Sequence, residues 1–135
     1  MNNHYFQNEY TTMRIEDGIL FVQYSKNLNI TLDIAKICVY ERLKLSDGKN
    51  YPMLADIRNI KNTDHDAKNY IAQGDGTKGI IAGAFIVKNE FNRFLATIFI
   101  NLSLIKTPKL PAKLFSNEED AIQWLQQFKV TATTS

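Results

Sequence analysis

Two charged residues at the end of a buried apolar run are the first candidates for chemistry. Asp56 closes the apolar part of the segment YPMLADIR, and Arg58 follows two residues later. Open α/β sheets bind ligands and partners at the carboxyl ends of their strands, which is where this pair is expected. The alternative is that Asp56 accepts hydrogen bonds from loop amides while Arg58 is solvated. Both interpretations stay open on the sequence alone.

A second polar cluster, Thr63-Asp64-His65-Asp66, stands before the next helical pattern. Its carboxylates and imidazole suggest metal binding or acid–base chemistry. Adjacent residues at a helix start point in different directions, however, and the other histidine, His4, lies near the amino terminus. A helix cap by Thr63 or Asp64 with acids in the first turn explains the cluster without a metal. We expect no metal site and no catalytic residue here, and keep Thr63, Asp64 and His65 as candidates for contacting a ligand or partner.

The run from Gly74 to Gly79 matches G-x-G-x-x-G, the fingerprint of dinucleotide binding. That fingerprint must follow a strand and open a helix, so that the pyrophosphate meets the helix amino terminus. Here the run follows a helical pattern and precedes a strand, and it would present helix carbonyls instead. We therefore predict a flexible connection, with no binding of ATP or NAD and no other cofactor.

The remaining reactive side chains lie on the first predicted helix. Cys38 is the only cysteine, so it has no disulfide partner, and it lacks an evident activating histidine. We interpret it as a small core residue. Glu41 falls on the apolar stripe of the helix, and Arg42 is expected at the rim with its charged end in water.

Composition limits the classes of partner. The chain has 135 residues, enough for one domain, and its formal net charge of +2 is too small to indicate a nucleic-acid partner. The apolar stretch from Phe94 to Ile105 is too short to span a bilayer, and the first residues show no signal-peptide pattern. We expect a cytoplasmic protein without a membrane span.

The elements that position these residues alternate between strands and helices. We predict an ordered core of about residues 10–128, with frayed tails on either side. Asp17-Gly18 predicts a hairpin between two β-branched runs, and Thr31 is expected to cap the first helix. The predicted strands cover 10–15, 19–24, 53–57, 80–87 and 113–115, and the predicted helices cover 31–45, 64–74, 90–105 and 116–128.

This order predicts an α/β fold with a mixed five-stranded sheet. Its amino-terminal hairpin is antiparallel, and the last four strands are parallel because helices separate them. Helices cover both faces. On the first helix, Ile34, Ile37, Cys38 and Leu45 are expected to face the sheet. On the last, Ser116 and Glu119 form a capping-box pattern.

The order of elements, the strand ending in Asp56, and the terminal run KLFSNEEDAIQWL resemble the SpoIIAA-like fold. This fold is shared by the STAS domains of anti-sigma-factor antagonists and, more distantly, by lipid-binding CRAL-TRIO domains. The terminal run is similar to small bacterial proteins of unknown function in the same fold group. The resemblance covers about residues 10–128.

In STAS antagonists, a serine at the start of the helix after this strand is phosphorylated, which switches partner binding. The corresponding position here falls near His65-Asp66, and Thr63 is the only hydroxyl in the loop. The resemblance therefore implies a non-enzymatic interaction or regulatory module without the phosphoacceptor serine. The alternative is a protein that binds a small apolar ligand or lipid beneath the helix of residues 91–105.

One helix also suggests self-association. A stripe of large apolar residues is expected to pack on the sheet: Phe91, Phe94, Leu95, Ile98, Phe99, Leu102 and Ile105. Ile100 and Leu104 lie on the opposite side of this helix, and a monomer would leave them in water. The alternative is that scattered exposed aliphatic residues need no partner. We predict a two-fold dimer through Ile100 and Leu104.

Overall fold

The computed structural model describes the backbone of residues 4–106 and 110–129, and the side chains of these residues except 102–106. The strands are β1 (Tyr5–Gln7), β2 (Thr11–Glu16), β3 (Ile19–Tyr24), β4 (Leu28–Ile30), β5 (Tyr51–Asp56), β6 (Ile60–Thr63), β7 (Ile80–Ile86) and β8 (Ala112–Phe115). The α-helices are α1 (Leu32–Ser46), α2 (His65–Ile71), α3 (Glu90–Lys106) and α4 (Glu118–Leu125). Short 3₁₀ turns cover Gly74–Gly76 and Gln126–Phe128.

The main sheet has the order β1-β2-β3-β5-β7-β8. Strands β1, β2 and β3 are antiparallel, whereas β3, β5, β7 and β8 are parallel. The α/β class, the antiparallel hairpin and the four parallel strands are therefore confirmed. The predicted number of five strands was wrong, because residues 5–7 pair with β2 as an edge strand and are not a frayed tail. Residues 1–3 and 130–135 of the predicted tails lie outside the described part of the chain.

The β2–β3 hairpin forms as its turn residues require. Asp17 and Gly18 both have positive φ, 53° and 76°. A two-residue turn with this backbone twists in the same sense as the strands that it joins. The turn thus fixes the register that places Met13 opposite Val22, both of them in the core.

A small second sheet was not predicted. Strands β4 and β6 pair in parallel, with Ile30 opposite Thr63. Each strand has only three or four residues, and the two are separated by α1 and β5. Short strands of this kind carry little periodicity, so only their long-range pairing reveals them.

Helices pack on both faces of the main sheet, as predicted. Buried side chains of α1, α2 and α3 form a cluster with Ala55, Ile57 and Val87. On the opposite face, Ala121 and Leu125 of α4 pack against the other residues of the strands. Because strand side chains alternate between faces, each parallel strand contributes to both cores.

The buried face of α1 differs from the prediction at two positions. Thr31 caps the helix as expected, accepting a hydrogen bond from the Ile34 amide at 3.3 Å. Ile37, however, is 39% exposed, whereas Arg42 is only 4% exposed. The predicted rim position of Arg42 was therefore wrong. The apolar pattern was misleading because a satisfied arginine occupies the interior side of the helix.

Helix α3 is rotated relative to the predicted stripe. Its buried residues follow the spacing i, i+3, i+4, i+7: Asn92, Leu95, Ala96 and Phe99. Phe91 and Phe94 are exposed instead, at 45% and 64%. Asn92 can be buried because its side-chain Nδ2 donates to the Ile57 carbonyl and its Oδ1 accepts from the Lys88 backbone amide.

This rotation changes the basis of the predicted dimer interface. Ile100 is half-buried and lines the apolar cavity between the sheet and α3, so it does not lie on a fully exposed side of the helix as expected. The side chain of Leu104 lies outside the described residues. Self-association itself stays a prediction, but Ile100 no longer supports it.

The last helix begins one residue later than predicted. Asn117, not Ser116, is the N-cap, and its side chain accepts a hydrogen bond from the Asp120 amide at 2.8 Å. The side-chain amide of Asn117 also donates, through Nδ2, to Asp120 Oδ2 at 3.1 Å. The helix is thus capped by side chains as predicted, but the capping residues are Asn117 and Asp120 and not Ser116 and Glu119.

Candidate functional site

Asp56 and Arg58 form an ion pair with two-point geometry at the end of β5. Arg58 Nε donates to Asp56 Oδ1 at 2.9 Å, and Nη2 donates to Oδ2 at 2.8 Å. The backbone amide of Arg58 also donates to Oδ1 at 3.1 Å. Asp56 lies at a strand terminus, as predicted. Asp56 accepts a hydrogen bond from a loop amide, as the alternative interpretation of this residue expected. Arg58, however, forms an ion pair with Asp56 and is not merely solvated.

The ion pair fixes the orientation of Arg58. Hydrogen bonding to Asp56 raises the pKa of the guanidinium above its usual value, with further contributions from the charges of Asp56 and Glu118. Asp56 is largely covered, with 9% of its side chain exposed, whereas 39% of the Arg58 side chain is exposed. Arg58 thus presents a positive group to solvent in an orientation set by a buried carboxylate.

The structure does not bring Thr63, Asp64 and His65 together with this pair. Thr63 is buried, and its hydroxyl has no hydrogen-bond partner among the described residues. Asp64 is the N-cap of α2, as predicted, but its side chain makes no capping hydrogen bond. His65 is exposed, with Nε2 3.1 Å from the Asn69 side-chain amide. A role for these three residues in binding stays a prediction.

Arg58 lines an open depression at the carboxyl edge of the parallel strands. We call it the basic depression and define it by four cations and one aromatic residue: Lys26, Arg58, Lys61, Lys88 and Phe91. Its volume is about 450 Å³. Asparagines and one isoleucine complete its lining, which contains no acidic residue. The depression therefore favours a negatively charged binding partner.

Three of these cations were missed by the sequence analysis, although a signal for two of them existed. Strands β3, β5 and β7 end at residues 24, 56 and 86. A cation follows each end by two positions: Lys26, Arg58 and Lys88. Since neighbouring parallel strands end at one edge of a sheet, this repeated spacing places the three charges together.

The first turn of α3 borders the depression, but its amides are partly occupied. The Asn92 amide donates to Asn89 Oδ1 at 2.8 Å, and the Lys88 amide donates to Asn92 Oδ1 at 3.1 Å. Backbone amides at a helix start commonly bind phosphate. Here the protein's own side-chain carbonyls bind the Asn92 amide in this turn and the Lys88 amide just before it, so the turn offers a ligand fewer amides beside the lysine and arginine side chains.

The glycine-rich run is held by the buried Arg42. Its Nη1 donates to the Lys78 carbonyl at 2.9 Å, and its Nη2 donates to the carbonyls of Asp75 at 2.9 Å and Gly76 at 3.3 Å. Burial lowers the pKa of this guanidinium. The predicted flexible connection is thus tied to α1 by three hydrogen bonds. Because the run directs carbonyls towards a cation, it lacks the amide cradle of a nucleotide site; the absence of ATP or NAD binding stays a prediction.

An apolar cavity of about 60 Å³ lies between the sheet, α2 and α3. Phe99 and Ile100 line it from α3, Phe85 from β7, and Gly76 from the glycine-rich run. All of its lining residues are apolar except Tyr24 and Thr77. The cavity lies beneath the helix where the sequence analysis placed an apolar pocket.

The described residues give little support for a reactive cysteine, a metal site or a membrane-spanning helix. Cys38 is buried, and burial raises its pKa to about 11, which keeps the thiol protonated at neutral pH. Within residues 4–106 and 110–129, no cluster of three or more His, Cys, Asp or Glu side chains is arranged to bind a metal. None of the helices in this part of the chain has the length and apolar character needed to cross a bilayer.

Comparison with known proteins supports the fold. The chain is similar to an uncharacterised DUF3478-family protein with a SpoIIAA-like fold from Shewanella loihica PV-4. The two share 16% sequence identity and a TM-score of 0.61, over 89% of this chain and 97% of the other. The SpoIIAA-like fold is thus confirmed. A search of curated proteins gives no match. A family model described as a domain of unknown function, DUF7793, matches residues 13–129, and the chain therefore belongs to that family.

Proposed function

We propose that the chain is a non-enzymatic protein-interaction module that binds a partner protein at the carboxyl edge of its sheet. The observation that supports this most is the basic depression, which Arg58 and three lysines line together with an exposed aromatic ring. Arginine and aromatic residues are the types that most often anchor protein interfaces. The bound orientation of Arg58 adds a preorganised contact, which reduces the entropy lost on binding.

The exposed aromatic residues of α3 extend this surface. Phe91 lines the depression, and Phe94 lies three residues further along the helix, nearly one turn away. Each is a large side chain that remains substantially in water in the isolated chain. Full burial of such a side chain is worth about 1.5–3 kcal/mol, and a partner could gain only the part of this that belongs to the exposed 45% and 64% of the two residues. A partner that contacts both rings and the cations would use the depression as one continuous interface.

Affinity capture with purified variants tests this proposal. We expect Phe91→Ser combined with Phe94→Ser to lose a partner that the wild-type chain retains, because both exposed rings are removed. Tyr5→Ser combined with Tyr40→Ser is the matched control, since these aromatics are also exposed but lie on β1 and α1. The partner is then purified and its binding to all three chains is measured by calorimetry. Equal affinity for the wild type and the α3 variant would refute an interface at this edge.

The apolar cavity favours a second candidate, a site for a small apolar ligand. Its volume of about 60 Å³ is smaller than the roughly 150 Å³ of an engineered apolar cavity that admits benzene. A ligand of atomic or few-carbon size would fit in the observed conformation. A longer chain would require α3 to move away from the sheet, because Phe99 and Ile100 form that wall.

Xenon binding followed by ¹²⁹Xe NMR checks this second candidate. We expect the wild type to shift the xenon resonance and Gly83→Val to weaken that shift, because Gly83 lines the cavity from β7. Thr97→Val, on the exposed side of α3, is the control and should behave as the wild type. Native mass spectrometry of the purified chain tests separately for a co-purifying apolar molecule. No difference between the two variants would exclude the cavity as the site.

A further inference from the structure

The basic depression is built from equivalent positions of adjacent strands. Lys26, Arg58 and Lys88 each lie two residues beyond the end of β3, β5 and β7, and these three strands are neighbours in the sheet. Lys61 adds a fourth charge from the start of β6. One of the four is paired with Asp56, and none of the residues lining the depression is acidic. Among the described residues, Arg58 is the only one of these four cations that forms an ion pair, so the depression carries largely uncompensated positive charge.

Arg58 differs from the lysines in having a fixed orientation. Its Nε and Nη2 are bound to Asp56, whereas Nη1 takes part in none of the hydrogen bonds found among the described residues. A guanidinium held in this way offers its remaining N–H groups in a defined direction. The lysines are flexible point charges and can follow carboxylates at several spacings. The combination suits several separate anionic groups better than one compact anion.

The first turn of α3 argues against phosphate as the ligand. The Asn89 side chain already accepts a hydrogen bond from the Asn92 backbone amide in this turn, and the Asn92 side chain accepts one from the Lys88 backbone amide just before it. A phosphate would gain the Asn92 amide only by displacing the Asn89 side-chain carbonyl, so this turn offers it an incomplete set of amide donors. Carboxylates can instead pair with the side-chain cations at the surface, without disturbing the turn.

We propose that the basic depression binds an acidic segment of a partner protein. Two or more aspartate or glutamate side chains of that segment pair with Arg58 and the lysines, and an adjacent apolar side chain contacts Phe91. This inference rests on the proposed interaction function and names the chemistry of the partner. A nucleic acid is the less suitable occupant, because its affinity depends on many phosphate contacts and the chain carries a net charge of only +2.

Fluorescence anisotropy with labelled peptides provides the test. The probe is a twelve-residue peptide with six glutamates and a central phenylalanine; a second peptide has glutamine in place of every glutamate. We expect the acidic peptide to bind and the glutamine peptide to bind at least tenfold more weakly. Raising the salt concentration from 20 to 200 mM should weaken the binding of the acidic peptide several-fold, because the exposed charges of the depression are screened.

Charge reversal locates the site. Lys61→Glu combined with Lys88→Glu should weaken the acidic peptide at least tenfold. Lys36→Glu combined with Lys49→Glu makes the same change in net charge at exposed positions outside the depression and should stay within about twofold of the wild type. Arg58→Lys retains the charge but loses the two-point pairing, and we expect an intermediate loss.

The outcomes separate this inference from the function on which it rests. Equal weakening by the two double reversals would show that only overall charge matters and would overturn the acidic-segment proposal. Tight binding of inorganic phosphate or of a thymidine oligonucleotide, without binding of the acidic peptide, would also overturn it. If the captured partner is lost with the Phe91 and Phe94 variant but retained with the charge reversals, the interaction surface stands and its partner is not acidic.

Discussion

Replacing Gly76 with alanine is expected to destabilise the protein by about 3 kcal/mol, more than the same substitution at Gly74. A Cβ atom at this position would meet the backbone carbonyl oxygens of Tyr70 and Ile71 at the end of α2. Backbone atoms of a helix end cannot move aside as a flexible side chain can, so the run or the helix must shift. Chemical denaturation measures the loss, and the thermal midpoint should fall by roughly 10 °C.

Gly74→Ala is the matched control because it lies in the same run. Its φ is positive, 56°, but a Cβ atom there would have no neighbour within 4 Å. Only the strained backbone would contribute, at about 1 kcal/mol. Because the φ of Gly76 is not positive, a loss no larger than that of Gly74→Ala would show that the end of α2 moves aside for the added Cβ atom. A larger loss at Gly76 would show that close packing requires glycine there, so that its match to G-x-G-x-x-G has a purely structural explanation.

The parts of the fold that follow from local rules could be predicted from the sequence. Asp17-Gly18 specifies a hairpin turn, and Thr31 specifies a helix start, because each acts on residues within a few positions of itself. The order of strands and helices then leaves few topologies for a parallel sheet. These rules are sufficient for the SpoIIAA-like architecture.

What could not be predicted depends on long-range partners. Strands β4 and β6 exist because they pair with each other, and nothing in three or four residues reveals that partner. The faces of α1 and α3 were misassigned because Arg42 and Asn92 are polar, yet both are buried among backbone groups that satisfy them. The burial of a polar residue in a core can be explained only when its hydrogen-bond partners are known.

The candidate site was predictable in part. Asp56 and Arg58 could be found because a strand end followed by charged residues is a local pattern. Lys26 and Lys88 could also have been found if the same spacing had been compared across the three strands. Lys61 and Phe91 could not, because their positions depend on the second sheet and on the rotation of α3 about its axis.

Replacing Arg42 with methionine is expected to destabilise the protein by about 3 kcal/mol, because the substitution removes the donors of three backbone carbonyls that are buried or partly buried. The carbonyls of Asp75, Gly76 and Lys78 would lose the guanidinium that joins them to α1. Methionine is of similar length and apolar, so the loss would report hydrogen bonds more than volume. Equilibrium denaturation gives the free energy, and hydrogen exchange at the Thr77 and Lys78 amides, which donate to Gly74, should accelerate.

Two further substitutions at α1 separate the role of charge from that of geometry. Arg42→Lys keeps a positive charge but cannot reach carbonyls on two sides with a planar fork, so we expect most of the loss, about 2 kcal/mol. Lys36→Met removes a cation from an exposed position of the same helix and should change stability by less than about 0.5 kcal/mol. A fully stable Arg42→Lys variant would mean that charge alone holds the run. A fully stable Arg42→Met variant would mean that water or a rearranged backbone satisfies the carbonyls. The glycine-rich run, which lines the apolar cavity through Gly76 and Thr77, would then keep its position without α1.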